Sequence, residues 1–267
     1  MITNNTDSFP SYQERKRALQ EVAAYAINKK VYAAVGVNKT VLSVGCNRGI
    51  LEALLRKKGN RVFGIDINAQ AIDAARQILD GAFVVNAATA KKLPFSKQFF
   101  DVIIFADIIE HLVDPSVALR LVQPYLKNNG YIILSLPNVA NWAVRLPLLF
   151  GNFKYTDGGL LDKTHLHFFT LSSSRRILHA TGYSIIATEY NTSILNALYS
   201  YFKKSTSADT PSEMPCISPT QQETRVKNKS YIKRKIRGIL EAIDEALTFI
   251  FPGFFTYQFI FVARLKR

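Results

Sequence analysis

The sequence predicts a doubly wound α/β domain, and three observations carry that prediction. Short apolar runs alternate with segments of helical periodicity from residue 40 to residue 137, the rhythm of strand–helix–strand units around a parallel sheet. "FDVIIFAD", residues 100–107, is apolar throughout its centre, as a strand covered on both faces must be. The first apolar run enters a turn bearing Gly45 and Gly49, and the next run ends on Asp66. Glycines let backbone approach a ligand closely, and an acid about twenty residues later suits ribose hydroxyls. An ordinary tight turn is the plainer reading of the glycines alone.

The elements follow in order. Residues 11–30 alternate basic and apolar positions at helical spacing, so an N-terminal helical segment is expected within residues 1–36. "KTVLSVGCNRG" is a first strand entering its turn, and "ILEALLRKKG" is a helix stopped by Gly59. "RVFGIDIN" reads as the second strand, "AQAIDAARQIL" as the second helix and "AFVVNA" as the third strand. After the fourth strand, Asp114 and Pro115 suit an N-cap and first turn. That helix is expected to run through Leu126, with Asn129 and Gly130 ending it. "YIILSLPN" is the fifth strand. Residues 139–171 break the rhythm: they are aromatic, glycine-containing and irregular, and connections of this length are usually functional. "SSSRRILHATG" is a helix with a serine cap and a Gly182 stop, and "YSIIATEY" is a strand. Residues 203–230 are polar and read as a flexible linker. Residues 231–251 form an amphipathic helix with Ile232, Ile236, Ile239, Leu240, Ile243, Ala246, Leu247 and Ile250 on one face. "YQFIFVARLK" closes the chain as a strand.

Composition narrows the class. With 267 residues, 48% of them hydrophobic, the chain can bury one sizeable core plus insertions, or two small domains. The 20% charged fraction excludes a disordered composition. A net charge of +14 favours anionic partners such as nucleic acid, a membrane surface or a phosphorylated substrate; a basic surface serving solubility is the alternative. Cys46 and Cys216 are too few for a disulfide framework. "MITNNTDSFP" carries no signal pattern, so a cytoplasmic location is expected. Residues 246–263 are uncharged and long enough to scan as a membrane span. Pro252 and Gly253 interrupt them, which favours a helix, a turn and a strand.

"VLSVGCNRG", "VFGIDIN" and "LPFSKQFFDVIIFADIIEHLVDP" together resemble the core of a class I S-adenosylmethionine-dependent methyltransferase. "GGLLDKTHLHFFT", followed by "HATGYSI", resembles the distal half of bacterial small-molecule and surface-glycan methyltransferases. The resemblance covers roughly residues 38–190. It implies a Rossmann-like sheet, mostly parallel, whose last strand, "YQFIFVAR", runs antiparallel. It also implies a methyltransferase domain of residues 37–190 plus 253–267, with residues 139–171 as an acceptor lid. Residues 191–252 form a C-terminal helical insertion.

The implied cofactor is S-adenosyl-L-methionine. On this resemblance the backbone at Gly45, Cys46, Asn47 and Gly49 borders its methionine part. Asp66 holds the ribose, and its carboxylate can accept from two vicinal hydroxyls at once. Ile67 packs on adenine, Asn86 and Ala87 lie near the adenine edge, and Asp107 lines the transfer cleft. Three departures matter. Ser43 stands where the family has an acid, Asn47 where it has glycine, and no aspartate lies near residues 86–89. Asparagine tolerates left-handed backbone, and Ser43 and Asn86 keep hydrogen-bonding capacity without charge. A non-catalytic relative acting as a binding module is therefore an alternative.

Methyl transfer needs an acceptor oxygen that loses its proton, and histidine titrates in the right range. The lid carries His165 and His167, which face the same side if the segment is extended. Three readings stand: a general base with Asp162 as its orienting partner, a structural loop with imidazoles bonded to backbone, or a metal site from Asp162, His165 and His167. No metal is assigned on sequence. His111 is a further candidate base, or else a helix-terminus hydrogen bond. "ADIIEH" replaces the Asn/Asp-Pro-Pro-aromatic run of amino-methylating relatives, which favours an oxygen or carbon acceptor. Trp142, Phe150, Phe153 and Tyr155 either stack on a sugar or aromatic ring or simply pack.

The expected function is O-methylation of a sugar or lipid-linked small molecule, with a small-molecule or glycan acceptor and a histidine base. A nucleic-acid methyltransferase would need a basic stripe with aromatics beside the cleft. The basic cluster lies instead in the insertion: residues 201–237 hold nine Lys/Arg against three Asp/Glu. A basic amphipathic helix reads as an element for peripheral contact with an anionic membrane; packing of its apolar face on the sheet is the alternative.

Overall fold

The computed structural model describes residues 9–11, 28–192, 242–243 and 245–266. Seven strands form one sheet: β1 (Thr40–Val44), β2 (Arg61–Asp66), β3 (Gly81–Val84), β4 (Phe100–Ala106), β5 (Leu126–Pro137), β6 (Tyr183–Thr192) and β7 (Thr256–Leu265). Their order is β3-β2-β1-β4-β5-β7-β6. The pairs from β3 to β5 are parallel, and β7 runs antiparallel to both β5 and β6. This is the expected mostly parallel sheet with a reversed last strand in the chain.

Alternation along each strand builds two cores, because successive side chains leave a strand on opposite faces. Leu42, Phe63, Ile103 and Leu134 enter one cluster; Val41, Val62, Val102 and Ile133 enter the other. Helices α1 (Lys29–Val35), α2 (Ile50–Lys57) and α3 (Ala69–Arg76) cover the second face through Val31, Leu55 and Ile72. Helices α4 (Pro115–Leu121) and α6 (Leu171–Ala180) cover the first through Leu119 and Leu178. Between them in the chain lies α5 (Trp142–Leu149), near the start of the segment 139–171.

Some boundaries differ from the sequence reading. α4 is capped by Asp114 as expected, but ends at Leu121 rather than running through Leu126. Pro124 lies in a following 3-10 turn, Gln123–Tyr125, where it cannot continue an α-helical ladder. β5 has already begun by Asn129 and Gly130. Phe100 pairs with Leu126 and Val102 with Tyr131, so residues 127–130 bulge from the ladder. The cap of α6 is Thr170, in a reciprocal capping box with Ser173, rather than one of the serines.

Of the N-terminal helical segment, residues 12–27 lie outside the described residues; α1 follows them, capped by the Asn28 side chain. The linker and most of the amphipathic helix also lie outside the described residues. Residues 245–250 are helical, and Pro252–Phe255 forms one further helical turn, α7, before β7. Among the described residues, no helix is long and apolar enough to cross a membrane.

Candidate active site

The turn after β1 is built from left-handed backbone. Gly45, Asn47 and Gly49 have φ of 74°, 48° and 79°, and asparagine is among the side chains that tolerate this region. Gly45 is needed for space as well. A Cβ there would lie 2.7 Å from Ile108 Cδ1, in the segment after β4. The Gly45 and Cys46 amides both donate to the Ile65 carbonyl, at 2.8 and 3.2 Å, which fastens the turn to the end of β2. Cys46 is buried, and burial, then Glu52 and Asp66, push its thiol up to about 12. It is a packing group here rather than a nucleophile.

Asp66 ends β2 beside that turn. One carboxylate oxygen accepts from the Asn47 amide at 2.8 Å and the other from the Asn68 amide at 2.9 Å. Each oxygen retains a further lone pair. The neighbouring Ile67 is 66% exposed, an uncovered apolar surface next to the acid. The Asn86 side chain accepts from the Ala88 amide at 2.9 Å, and Ala87 is buried beside the core.

Sequence reading missed an acid beneath the turn. Ser43 donates to Glu52 Oε1 at 2.6 Å, with both residues buried. A carboxyl from α2 thus stands beside the serine that replaces the acid expected at position 43. Burial is the main cause of its raised pKa. Its signal in the sequence was an acid on the apolar face of "ILEALL".

At the end of β4, Asp107 adopts φ 54°. Its amide donates to Ser135 Oγ at 3.0 Å, and Ser135 Oγ donates to its carboxylate at 2.8 Å. Gln258 of β7 also donates to that carboxylate. Asn28 and Asn191 both donate to Gln258 Oε1 at 2.7 Å. Asp107 remains open to solvent at the cleft even though the protein packed around it raises its carboxyl. Gln258 and Ser135 were not legible in sequence, because they reach Asp107 across the sheet.

The segment 139–171, expected from sequence as a lid, lies against the 3-10 turn Ile109–His111, which follows β4. The Leu166 and His167 amides donate to the Glu110 carbonyl at 2.9 and 3.0 Å. The lid's base is tied to the entry of β7: the Asn138 amide side chain donates to the Gly253 and Thr256 carbonyls at 3.1 and 2.8 Å.

The histidines separate in this frame. His167 Nε2 lies 3.1 Å from the Val113 carbonyl. The His165 ring stands edge-on to His111, with centroids 4.8 Å apart, and its buried Nδ1 has no hydrogen-bond partner. Burial, then His111, lower its pKa, so the ring is neutral near pH 7. Asp162 does not bond to either lid histidine. Its carboxylate accepts from the Thr164 amide at 2.8 Å and hydroxyl at 2.7 Å, which lower its pKa. Thr164 in turn meets His111 Nδ1 through its carbonyl at 3.1 Å and its hydroxyl at 3.2 Å. Asp162 therefore orients His111 through Thr164. The trio of Asp162, His165 and His167 is not brought together; Glu110, His111 and His165 are, with one donor atom of each within 4.8 Å of the others. Glu110 is 1% exposed and its Oε2 has no partner. Burial, then Asp107, push its carboxyl up to about 8. Phe153, Tyr155 and Phe168 form an aromatic rim beside His165, with centroid separations of 5.4 to 6.4 Å.

Turn, acid and lid all stand at the carboxyl ends of the parallel strands, where open α/β sheets take their ligands. With β7 reversed in the sheet, this arrangement defines a class I S-adenosylmethionine-dependent methyltransferase fold. A family model described as a methyltransferase domain matches residues 13–188, more than half of the chain, and the chain belongs to that family. The family's cofactor is S-adenosyl-L-methionine. The chain is similar to the ubiquinone biosynthesis O-methyltransferase of Serratia proteamaculans, 28% identical over 127 residues that cover 46% of this chain and 53% of that protein. The protein of the same name from Pasteurella multocida is 32% identical over 121 residues, covering 40% and 50%. The chain thus spans about half the length of the curated relatives it matches. Among solved structures, a SAM-dependent methyltransferase from Archaeoglobus fulgidus superposes with a TM-score of 0.53 at 18% identity, covering 93% of each chain. One from Methanosarcina mazei gives 0.51 at 17%, covering 86% and 94%. At these identities the likeness is one of fold.

The residues present fit the cofactor. The left-handed turn exposes backbone where a charged amino acid moiety would lie, Asp66 keeps acceptor capacity for ribose hydroxyls, and Ile67 offers an apolar face to a base.

Proposed function

We propose that this chain methylates a hydroxyl oxygen of a small acceptor, a sugar or a lipid-linked molecule, held between the end of β4 and the lid. S-adenosylmethionine supplies, when bound, a methyl group already activated on a sulfonium. What remains for the protein is alignment and removal of the hydroxyl proton.

The observation that carries the reading is the cluster of Glu110, His111 and His165, in which one donor atom of each residue lies within 4.8 Å of the others. It stands beside Asp107 and under an aromatic rim suited to the flat face of a sugar or a ring. The His167 ring is turned to the Val113 carbonyl, so His165 is the lid histidine at which the proton is removed. The names of the relatives support oxygen as the methylated atom.

The test is transfer of labelled methyl to sugar nucleotides, lipid-linked glycans and hydroxylated aromatic lipids by the purified chain. His165→Ala should lower turnover about a hundredfold, the scale of general-base loss, and leave cofactor affinity intact. Full turnover in His165→Ala on an accepted substrate would refute the assignment.

A further inference from the structure

We propose that Glu110, His111 and His165 form a divalent-cation site, zinc in the first place, which joins the lid to the end of β4 and leaves a coordination position open to the acceptor. The proposal rests on the reading above for the site and the acceptor, and it replaces one step: with the cation bound, His165 is a ligand rather than the base, and the acceptor hydroxyl, held on the cation, would lose its proton to solvent.

Three observations converge on it. The donor set is two imidazoles and one carboxylate, the composition of catalytic zinc sites that keep an open fourth position. One donor atom from each residue already lies within 4.8 Å of the others. Zinc bonds of about 2.0–2.2 Å place tetrahedral donors about 3.4 Å apart, so the most distant pair would have to close by about 1.4 Å. Glu110 Oε2 has no hydrogen bond to give up in that approach.

Second, Glu110 is a buried acid with an unpartnered oxygen. Such a group is costly as a bare anion and is found neutral, paired or on a metal. Third, His111 is already oriented as a ligand would be. Its Nδ1 meets the Thr164 carbonyl and hydroxyl, and the Asp162 carboxylate receives the Thr164 hydroxyl. Outer partners of this kind fix the ring and direct the other nitrogen inward. The lid's own backbone bonds to the Glu110 carbonyl hold His165 against the turn that carries the other two groups.

The experiment is titration of the metal-free full chain with zinc, by calorimetry, and with cobalt, by visible absorption. The expected result is one ion per chain, with affinity reduced at least tenfold in Glu110→Gln and in His165→Ala. His179→Ala, on the exposed side of α6, should bind as the wild type does. Circular dichroism and S-adenosylhomocysteine binding confirm that each variant is folded. Absence of stoichiometric binding, or binding unchanged in both variants, overturns the site. The two readings fail separately. Loss of methyl transfer in His165→Ala without any ion binding keeps the histidine and removes the cation. Ion binding that depends on Glu110 and His165, with no transfer to any acceptor, keeps the site and removes the proposed reaction.

Discussion

The Ser43 hydroxyl and the Glu52 carboxyl share one buried hydrogen bond under the turn that follows β1. Burial raises the folded-state value of Glu52 above its ordinary 4.5. Below pH 4.5 both folded and unfolded chains hold this proton. Above it the unfolded chain releases the proton while the folded chain retains it. This residue's contribution to stability therefore falls as pH rises, by about 1.4 kcal/mol per unit, until the folded-state carboxyl ionises. Glu52→Gln keeps an acceptor for Ser43 and removes the titration. Urea unfolding at pH 5 and pH 8 should show the variant gaining stability relative to wild type at the higher pH; an unchanged difference would refute the assignment. Glu52 was hard to read because its sequence neighbours mark only a helix face. The left-handed turn at Gly45 and Gly49 and the position of Asp66 at the end of β2 were legible because they depend on local spacing. Gln258 stands 151 positions from Asp107, and sequence pattern carries no information about such a pair.

Among elements, the strands were legible because a two-sided sheet demands continuous apolar runs. The β4 core from Val102 to Phe105 is wholly buried, as its composition requires. The break between α4 and β5 was less legible, since Asn129 and Gly130 are ordinary turn residues that here occupy a bulge. Residues 139–171 were legible only as an irregular connection, and the attachment of that segment depends on Asn138 and Asn141. These are fully buried and donate to carbonyls at the entry of β7. Asn138→Ala leaves the Gly253 carbonyl without this donor and the Ala140 amide without its acceptor. Chemical denaturation should show a loss of about 2–3 kcal/mol, the scale of buried polar groups left unpaired. A loss below about 0.5 kcal/mol would mean that the lid base is held by packing alone.

For the whole molecule, the excess of charge, +14, lies partly in residues 201–237, outside the described residues. Charge of this sign attracts anionic lipid at about 1 kcal/mol per residue near the surface. Co-sedimentation with acidic vesicles is expected, falling with salt and with Gln at Lys233, Arg234, Lys235 and Arg237. Binding that ignores salt or these substitutions would mean that these basic residues do not make the membrane contact. The network from Asn28 and Asn191 through Gln258 to Asp107 joins α1, β6, β7 and β4 at one edge of the sheet. The cleft therefore depends on segments from both ends of the described chain. We propose that S-adenosylmethionine binds at the carboxyl ends of the parallel strands, anchored by Asp66 at the end of β2. Calorimetric titration with S-adenosylhomocysteine tests it most directly. One molecule should bind per wild-type chain, with Asp66→Ala weaker by about 1.5–3 kcal/mol, the value of hydrogen bonds to a charged group, and His165→Ala unchanged. No binding to the wild type, or equal affinity in Asp66→Ala, would contradict it.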